Sequence, residues 1–416
     1  MNNQISRIGG NELDKIMKRD NSGWQVKFLG ELVTDIRYGM NASADFINEG
    51  TKFLRVTDIT TNGSVNYSNL PNVVANLKEV EKYFLKEGDC VIARSGSVGK
   101  AHIFNGQENV VFASYLIRLK FNKEMLYPPY FGAFSQTRFY WDQILSNTKG
   151  GVQQNINTEG LSRIKIPLPP LPIQKQIAEI LEKTDQAKQK RKEANKLTDE
   201  FLQSEFIEMF GDPVKNPKGF PIEPLEKVCV KITDGTHNSP RNDENGIYKY
   251  ITAKNIKKNG IDLRNITYIS EIDHKAIYSR CNAEFEDVLY IKDGVTTGIA
   301  QVNKLKEEFS MLSSLALFKL NKLVLNPYYL RDYLNNNNVY QNIRNSMGGA
   351  AITRLTVDKL KRIKVVLPPL SLQQQFADIV NKTESLKEKQ KQSEQELENL
   401  FQCLMQKAFN GELNFN

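Results

Sequence analysis

Two stretches of the chain carry hydrophobic positions at alternating steps of three and four residues. This spacing keeps the positions on one face of a helix and is typical of coiled coils. It predicts two long helices, whose seams are polar in the middle and apolar at both ends. The predicted seam comprises Ile173, Ile177, Ile180, Thr184, Ala187, Ala194 and Phe201 in the first helix, and Leu372, Phe376, Ile379, Thr383, Leu386, Leu397, Leu400 and Leu404 in the second.

The ends of both helices are marked by the residues that flank them. Paired prolines precede each helix, and Gly211 and Asn410-Gly411 follow the two helices. Each helix therefore spans about 37 residues, or roughly 55 Å, which is too long to be covered by one module. We expect the two helices to pair antiparallel, which gives a pseudo-two-fold body. The alternative is a helical tail that dimerises with a second molecule.

The segment before each helix is nearly the same in both places. LSRIKIPLPPL (161–171) returns as LKRIKVVLPPL (360–370), and 14 of the 24 positions from Leu161 to Thr184 are identical to those from Leu360 to Thr383. Fainter matches come earlier in the same order, such as KEGDCVIARSG (86–96) with EFEDVLYIKDG (284–294). The chain is therefore predicted to be a tandem duplication of one module and one helix.

The repeat predicts an α+β fold in which two α/β modules are separated by two long spacer helices. The expected bounds are a polar N-terminal extension at 1–23, the first module at 24–167, the central spacer helix at 168–212, the second module at 213–366 and the C-terminal spacer helix at 367–411. Tyr127-Pro128-Pro129-Tyr130 and Asn326-Pro327-Tyr328-Tyr329 superficially resemble an adenine-binding N-P-P-Y loop, but we interpret both as helix starts with a leading proline.

Composition narrows the partners and the compartment. A net charge of +8 and a pI near 9.0 favour a polyanionic partner. The apolar runs are too short for a membrane span, and we expect a cytoplasmic protein without a membrane partner. Cys229, His237, His274 and Cys281 are too widely spaced for a structural zinc site, so neither a metal nor a cofactor is expected.

Two loops between predicted strands are candidates for contact with DNA. RSGSVGK (94–100) has Arg94 and Ala101 where a phosphate-binding loop needs Gly and Ser or Thr, so nucleotide binding is disfavoured. Its donors suit phosphates or base edges instead, although a plain solvated hairpin explains the loop equally well. The candidate residues are Arg94, Ser95 and Lys100 in the first module, and Lys292 and Thr296 in the second.

A second pair of loops contains double glycines and differs between the modules. Its candidate residues are Lys149, Gln153 and Gln154 in the first module and Arg354 in the second. Gln can hydrogen-bond adenine bidentately and Arg prefers guanine, so these loops are predicted to select the DNA sequence. A structural turn accounts for the glycines equally well. A third matched segment adds Arg55 in the first module, and Lys254 and Asn255 in the second.

The repeated LPPLPIQKQIAEIL and LPPLSLQQQFADIV segments, each before a long helix, resemble the specificity subunit of type I restriction-modification systems. The resemblance extends from about Trp24 to the end of the second helix, and includes the strand-like runs at Asp89 to Gly96 and Asp287 to Gly294. The polar leader of about twenty residues departs from that pattern.

This resemblance implies that the modules are two target recognition domains, each of which binds one half of a bipartite site in double-stranded DNA. It also implies that the spacer helices recruit two methyltransferase subunits, and that restriction and translocase subunits join that core. The sequence itself has no evident catalytic triad or carboxylate pair, so we expect no catalysis by this chain alone. The alternative is a coiled-coil adaptor whose two modules bind protein partners.

Overall fold

The computed structural model describes residues 23–46, 49–75, 77–106, 109–150, 154–345 and 354–413. Contacts divide the chain into two compact units. Unit 1 comprises Met1–Arg191 with Ser393–Asn416, and unit 2 comprises Lys192–Gln392. Each unit therefore contains one module together with part of both long helices. The predicted extension at 1–23 lies almost wholly outside the described residues.

Unit 1 contains a four-stranded antiparallel sheet in the order β2-β8-β5-β6, a three-stranded sheet in the order β4-β3-β7, and the antiparallel pair β1-β9. The strands are β1 Gln25–Phe28, β2 Val33–Tyr38, β3 Thr51–Leu54, β4 Asn72–Val73, β5 Cys90–Ala93, β6 Ala101–Ile103, β7 Val110–Phe112, β8 Leu116–Phe121 and β9 Lys165–Leu168. The helices are α1 Leu77–Val80, α2 Pro128–Phe134, α3 Arg138–Asn147, α4 Thr158–Ser162 and the start of α5 Leu171–Phe210.

Unit 2 repeats this topology with sheets in the orders β11-β19-β16-β17 and β15-β12-β18, the pair β10-β20 and a small hairpin, β13-β14. The strands are β10 Ile222–Pro224, β11 Cys229–Asp234, β12 Tyr248–Ile251, β13 Ile256–Lys257, β14 Gly260–Ile261, β15 Thr267–Ile269, β16 Val288–Ile291, β17 Ala300–Val302, β18 Phe309–Met311, β19 Leu315–Leu320 and β20 Lys364–Val366. The helices are α6 Leu225–Val228, α7 Glu271–Tyr278, α8 Pro327–Asn335, α9 Asn337–Asn345, α10 Val357–Lys361 and α11 Leu370–Phe409.

The two long helices, α5 and α11, begin directly after the paired prolines and end directly before Gly211 and Asn410, as the sequence predicts. Each contains 40 residues, slightly more than expected, because the first turn starts at the leucine that follows the prolines. Pro128 and Pro327 also open α2 and α8, so the interpretation of the two tyrosine-proline segments as helix starts is confirmed.

The helices pair antiparallel within each unit. In unit 1, Ile177 and Leu181 near the start of α5 share a core with Met405 and Ala408 near the end of α11. In unit 2 the roles are exchanged, since the end of α5 packs against the start of α11. The residues that do so are Phe206, Phe210, Phe376, Ala377 and Val380.

Equivalent tyrosines attach the helix ends to the modules. Tyr130 is fully buried, donates a 2.7 Å hydrogen bond to the carbonyl of Pro167 and contacts the ring of Phe409 at 5.3 Å. Tyr329 repeats these contacts in unit 2 with the carbonyl of Val366 and the ring of Phe210, at 4.8 Å. The last turn of each long helix therefore completes the core of the module that the other long helix follows.

Buried glutamines connect the helix starts to the modules. Gln174 donates to the carbonyls of Met125 (2.9 Å) and Pro169 (2.8 Å), and it accepts from the Tyr127 amide (2.8 Å). Gln373 makes the equivalent three bonds in unit 2. Both side chains are fully buried. Each helix is thus held at its start by polar contacts as well as by apolar packing.

The predicted seam is only partly enclosed. Ile177, Phe376, Thr184 and Thr383 are buried, and each of the two threonines donates to the carbonyl four residues earlier in its helix. Three predicted seam residues are nearly half exposed, and they are Phe201, Leu386 and Leu400. A straight helix of 3.6 residues per turn drifts away from a strict 3.5-residue repeat, which moves such positions off the contact face.

Candidate nucleic-acid interface

The loop between β5 and β6 meets two other segments of the first module. The guanidinium of Arg94 lies 4.6 Å from the ring centre of Tyr38, which is the last residue of β2. Its Nε donates to Oδ1 of Asn155 at 3.3 Å. Arg94 is therefore held by a cation–π contact and a hydrogen bond, with donor nitrogens left over for a ligand.

The first and second candidate loops of this module are joined through their backbones. Asn155 exchanges two 2.9 Å hydrogen bonds with Lys149, forms a bridge with Ser95 and precedes Ile156, whose amide donates to the Arg94 carbonyl at 2.9 Å. Lys149 and Gln154 are exposed, whereas Ser95 is buried. Gln153 lies outside the described residues. The structure thus brings two loops that are distant in sequence to one surface.

The third segment is linked to the same surface by an internal bond. Nζ of Lys100 donates to the Ile59 carbonyl at 3.1 Å. Arg55 makes two hydrogen bonds to the Asp58 carboxylate, at 2.8 and 3.0 Å, and the bond to this carboxylate raises the pKa of the guanidinium. The side chain of Arg55 also lies 5.5 Å from the exposed ring of Phe46. Lys100 and Arg55 therefore each donate hydrogen bonds within the module.

In the second module, a buried carboxylate organises the equivalent loop. Oδ2 of Asp234 lies 3.3 Å from Nζ of Lys292 and 3.1 Å from Nε2 of His237, and Oδ1 lies 3.1 Å from Nη1 of Arg280. Lys292 is almost fully buried, whereas Arg280 and His237 are about half exposed. The Asp234 carboxylate therefore holds Lys292 beneath the loop, and the exposed side chains of Arg280 and His237 lie beside the same carboxylate.

The second module also joins its first and second loops. Asp293 forms a backbone bridge with Arg354, and the Arg354 Nε lies 3.7 Å from the Asp293 carboxylate. The amide of Leu355 donates to the Lys292 carbonyl at 2.8 Å. Thr296 and Arg354 are exposed. Residues 346–353, which contain the double glycine, lie outside the described residues.

The third segment of this module contains one exposed and one buried candidate. Lys254 is exposed. Asn255 is buried, and its side chain is bonded within the module. Its Oδ1 accepts from the Thr252 amide at 2.9 Å, and its Nδ2 donates to the Asp262 carbonyl at 3.0 Å. The amide of Asn255 thus closes a turn and has little capacity left for a ligand.

Several residues beside these loops were missed by the sequence reasoning, namely Tyr38, Tyr115, His237, Arg280 and Arg344. Tyr38 and Asp234 occupy the same register position before a glycine in the two modules, as do Arg94 and Lys292. The cation–π contact of the first module therefore corresponds to an ion pair in the second. A residue-by-residue alignment of the two repeats pairs Tyr38 with Asp234 and Arg94 with Lys292, and could have pointed to both contacts.

Comparison with known proteins assigns the chain to a family. The family model for the type I restriction modification DNA specificity domain matches residues 21–198 and again residues 217–399. The chain belongs to this family. The two matches follow the two repeats and together cover most of the sequence.

Individual specificity subunits match the whole chain or about half of it. The chain is 24% identical over 413 residues to the MjaX type I restriction enzyme specificity subunit of Methanocaldococcus jannaschii. The aligned stretch covers 94% of this chain and 93% of the relative. It is 23% identical over 238 residues to the MjaIX specificity subunit of the same organism, which covers 53% of this chain and 54% of the relative.

Solved structures show the same fold. The S subunit of a type I restriction-modification system from M. genitalium matches with a TM-score of 0.59 and 17% identity, over 95% of this chain and 98% of that one. A chain from a study of complex assembly and conformational transition of the type I R-M system matches with a TM-score of 0.55 and 19% identity, over 94% and 98% of the two chains.

Two further properties of the described residues bear on the site. Within them, no helix is both long and apolar enough to cross a membrane, and no group of three or more His, Cys, Asp or Glu side chains is arranged to hold a metal ion. Burial raises the pKa of Cys229 and of Cys281 to about 12, so both thiols stay protonated near neutral pH.

Proposed function

We propose that this chain is the DNA specificity subunit of a type I restriction-modification complex and that each module reads one half of a bipartite site. The observation that supports this most strongly is the double match to the specificity domain, once for each repeat. Each repeat also presents its own set of polar loops on one surface of its module. Two separate readers in one chain suit a DNA target in two parts.

We assign different tasks to the candidate residues according to their exposure. Arg94, Lys149 and Gln154 in the first module, and Lys254, Thr296 and Arg354 in the second, are available to phosphates and base edges. Lys100, Lys292 and Asn255 support the loops through internal bonds, as does the Arg55 ion pair. Arg280 adds positive charge, and His237 adds a ring nitrogen, beside the loop between β16 and β17.

The partners follow from the family. Two methyltransferase subunits would dock on the spacer helices, and restriction and translocase subunits would join that core. Methyl transfer and cleavage belong to those partners, and the target adenine leaves the duplex to reach the methyltransferase. This chain would supply sequence choice without catalysis, in the cytoplasm, where the chromosome and these subunits meet.

The test is a genome-wide map of N6-methyladenine in cells that express this chain with the methyltransferase encoded beside it. Cells without this chain provide the matched control. We expect a motif of two short defined blocks around a fixed undefined gap, present only when the chain is expressed. If both proteins are present and no methylated motif depends on this chain, the proposal is overturned, and an adaptor that binds proteins is favoured.

A second measurement uses purified methyltransferase complex and short duplexes. We expect each wrong base pair within a block to cost about 1 to 3 kcal/mol of binding free energy, and the affinity to fall steeply with salt. Duplexes altered only in the gap serve as controls and should bind unchanged. Uniform affinity for all sequences would contradict a role in sequence choice.

A further inference from the structure

The equivalent loops of the two modules differ in length by one residue. The numbering offset between corresponding strands is 198 before the loop, from Cys90 in β5 to Val288 in β16, and 199 after it, from Ala101 in β6 to Ala300 in β17. The loop between β16 and β17 therefore contains one additional residue.

Hydrogen bonds identify the additional residue. Both loops contain a second glycine with positive φ, Gly99 at 92° and Gly298 at 111°. A Cβ would collide with Ile144 of α3 at the first position and with the Tyr340 ring of α9 at the second. The next amide donates to the Ser97 carbonyl in the first loop and to the Thr296 carbonyl in the second. Ser97 thus corresponds to Thr296, and Val295 has no counterpart.

Val295 is 91% exposed, whereas the residue before each second glycine, Val98 or Thr297, is buried. Single apolar residues are common on protein surfaces, so exposure alone carries little meaning. The backbone around Val295, however, is held by hydrogen bonds from two side chains. Nη1 of Arg344 donates to the carbonyls of Val295 and Thr297, at 3.2 and 3.1 Å, and Thr297 Oγ1 donates to the Gly294 carbonyl at 2.6 Å.

The position of this turn connects it with the proposed DNA surface. Asp293, two residues before Val295, forms a bridge with Arg354, and Lys292 pairs with the Asp234 carboxylate. The Val295 side chain is β-branched and therefore stiff, and it projects into solvent close to the exposed Arg354. Such a side chain can contact an apolar group on an otherwise polar ligand. In the major groove of DNA that feature is the 5-methyl group of thymine.

We propose that Val295 reads a thymine methyl group in the half-site of the second module. This assignment rests on the proposed function of the chain as a DNA specificity subunit and adds a residue and a base to it. The first module has Ser97 and no additional residue, so its loop offers no equivalent apolar contact.

The experiment measures competition binding of the assembled methyltransferase complex to duplexes that carry the mapped site, with each thymine replaced in turn by uracil. Uracil lacks only the 5-methyl group. We expect the unaltered complex to bind about fourfold more weakly at one uracil position within one half-site, the scale of one buried methyl group. The Val295→Ser complex should bind thymine and uracil equally at that position.

Val230→Ser is the matched control, because Val230 is an equally apolar, exposed residue of the second module that lies in β11. It should keep the preference for thymine. The proposal is overturned if no uracil weakens binding, or if Val295→Ser weakens binding to thymine and uracil duplexes alike. A complex that does not prefer the mapped site over unrelated DNA would overturn the proposed function and this inference together.

Discussion

Gln174 and Gln373 show how a single residue type joins a long helix to a module. The side chain of each is fully buried and makes three hydrogen bonds, two of which it donates to backbone carbonyls of the module and of the helix start. An apolar replacement would leave those backbone groups without this partner. The residue is therefore a fixed joint between module and helix.

We expect Gln174→Leu to lower the free energy of unfolding of unit 1 by about 3 kcal/mol, because two backbone carbonyls and one backbone amide lose the partner that the buried Gln174 side chain provides. Both tryptophans of the chain, Trp24 and Trp141, lie in unit 1, so urea unfolding followed by tryptophan fluorescence reports on that unit. Gln176→Leu, at an exposed position of the same helix, is the control and should change stability little. Equal effects of the two substitutions would contradict the assigned role.

His102 makes the stability of unit 1 depend on pH. Its Nδ1 lies 2.8 Å from the Gly63 carbonyl, which can only accept, so Nδ1 carries the proton and the Tyr67 hydroxyl donates to Nε2 at 2.7 Å. Burial lowers the pKa of this imidazole below its usual 6.5. The unfolded chain therefore binds more protons than the folded one just below pH 6.5.

It follows that stability is lost as the pH falls through 6.5 toward the lower pKa of folded His102. The His102→Asn variant, which keeps a donor near the Gly63 carbonyl, should show a flatter dependence of unfolding free energy on pH in that window. Tryptophan fluorescence again provides the measurement. A variant with the slope of the unaltered chain would show that another group titrates there.

At the scale of elements, the sequence predicts the long helices well because their signal is local. The three-four periodicity, the prolines before them and the glycines after them all lie within the helices or beside them. The exposure of Leu386 and Leu400 is not visible in that pattern, because it depends on how far the partner helix follows the drifting seam.

The candidate loops were predictable in position but not in contacts. Arg94 meets Tyr38 and Asn155, which are far away in sequence, and these contacts arise only when β2 and β5 join the same sheet. The burial of Lys292 has the same origin, since Asp234 lies at the end of β11. Sequence alone marks a lysine in a loop and cannot tell a supporting cation from an exposed one.

A length change in a spacer helix tests the role of that element. Four residues inserted after Glu193 in α5 lengthen it by about 6 Å, the rise of roughly two base pairs. We expect the undefined gap between half-sites to change while both half-sites stay the same. Alanine replacement of four exposed residues there, Gln189, Lys190, Lys192 and Glu193, keeps the length and should keep the gap. An insertion variant with the original gap would contradict the spacer role.

At the scale of the whole molecule, the two repeats should be exchangeable as readers. Replacing residues 24–160 with the module of another family member should change one half-site of the methylated motif and leave the other. A second chimaera also carries that relative's counterpart of residues 393–416, so that the relative's module keeps its own version of the contacts that Tyr130 and Phe134 make with Phe409 in this chain. It should unfold at higher urea than the first. Changes in both half-sites would show that the modules do not read independently.

The composition of unit 1 also sets the order in which the molecule is finished during synthesis. Unit 2 has all its residues once the ribosome has passed Gln392, whereas the first module waits for Met405, Ala408 and Phe409. The first module ends at residue 167, and Met405 lies 238 residues later. At about 5 to 20 residues per second, translation of that stretch takes roughly 10 to 50 s. The module made first is completed last, and until then its apolar surface around Tyr130 and Phe134 is open to chaperones or to the wrong helix.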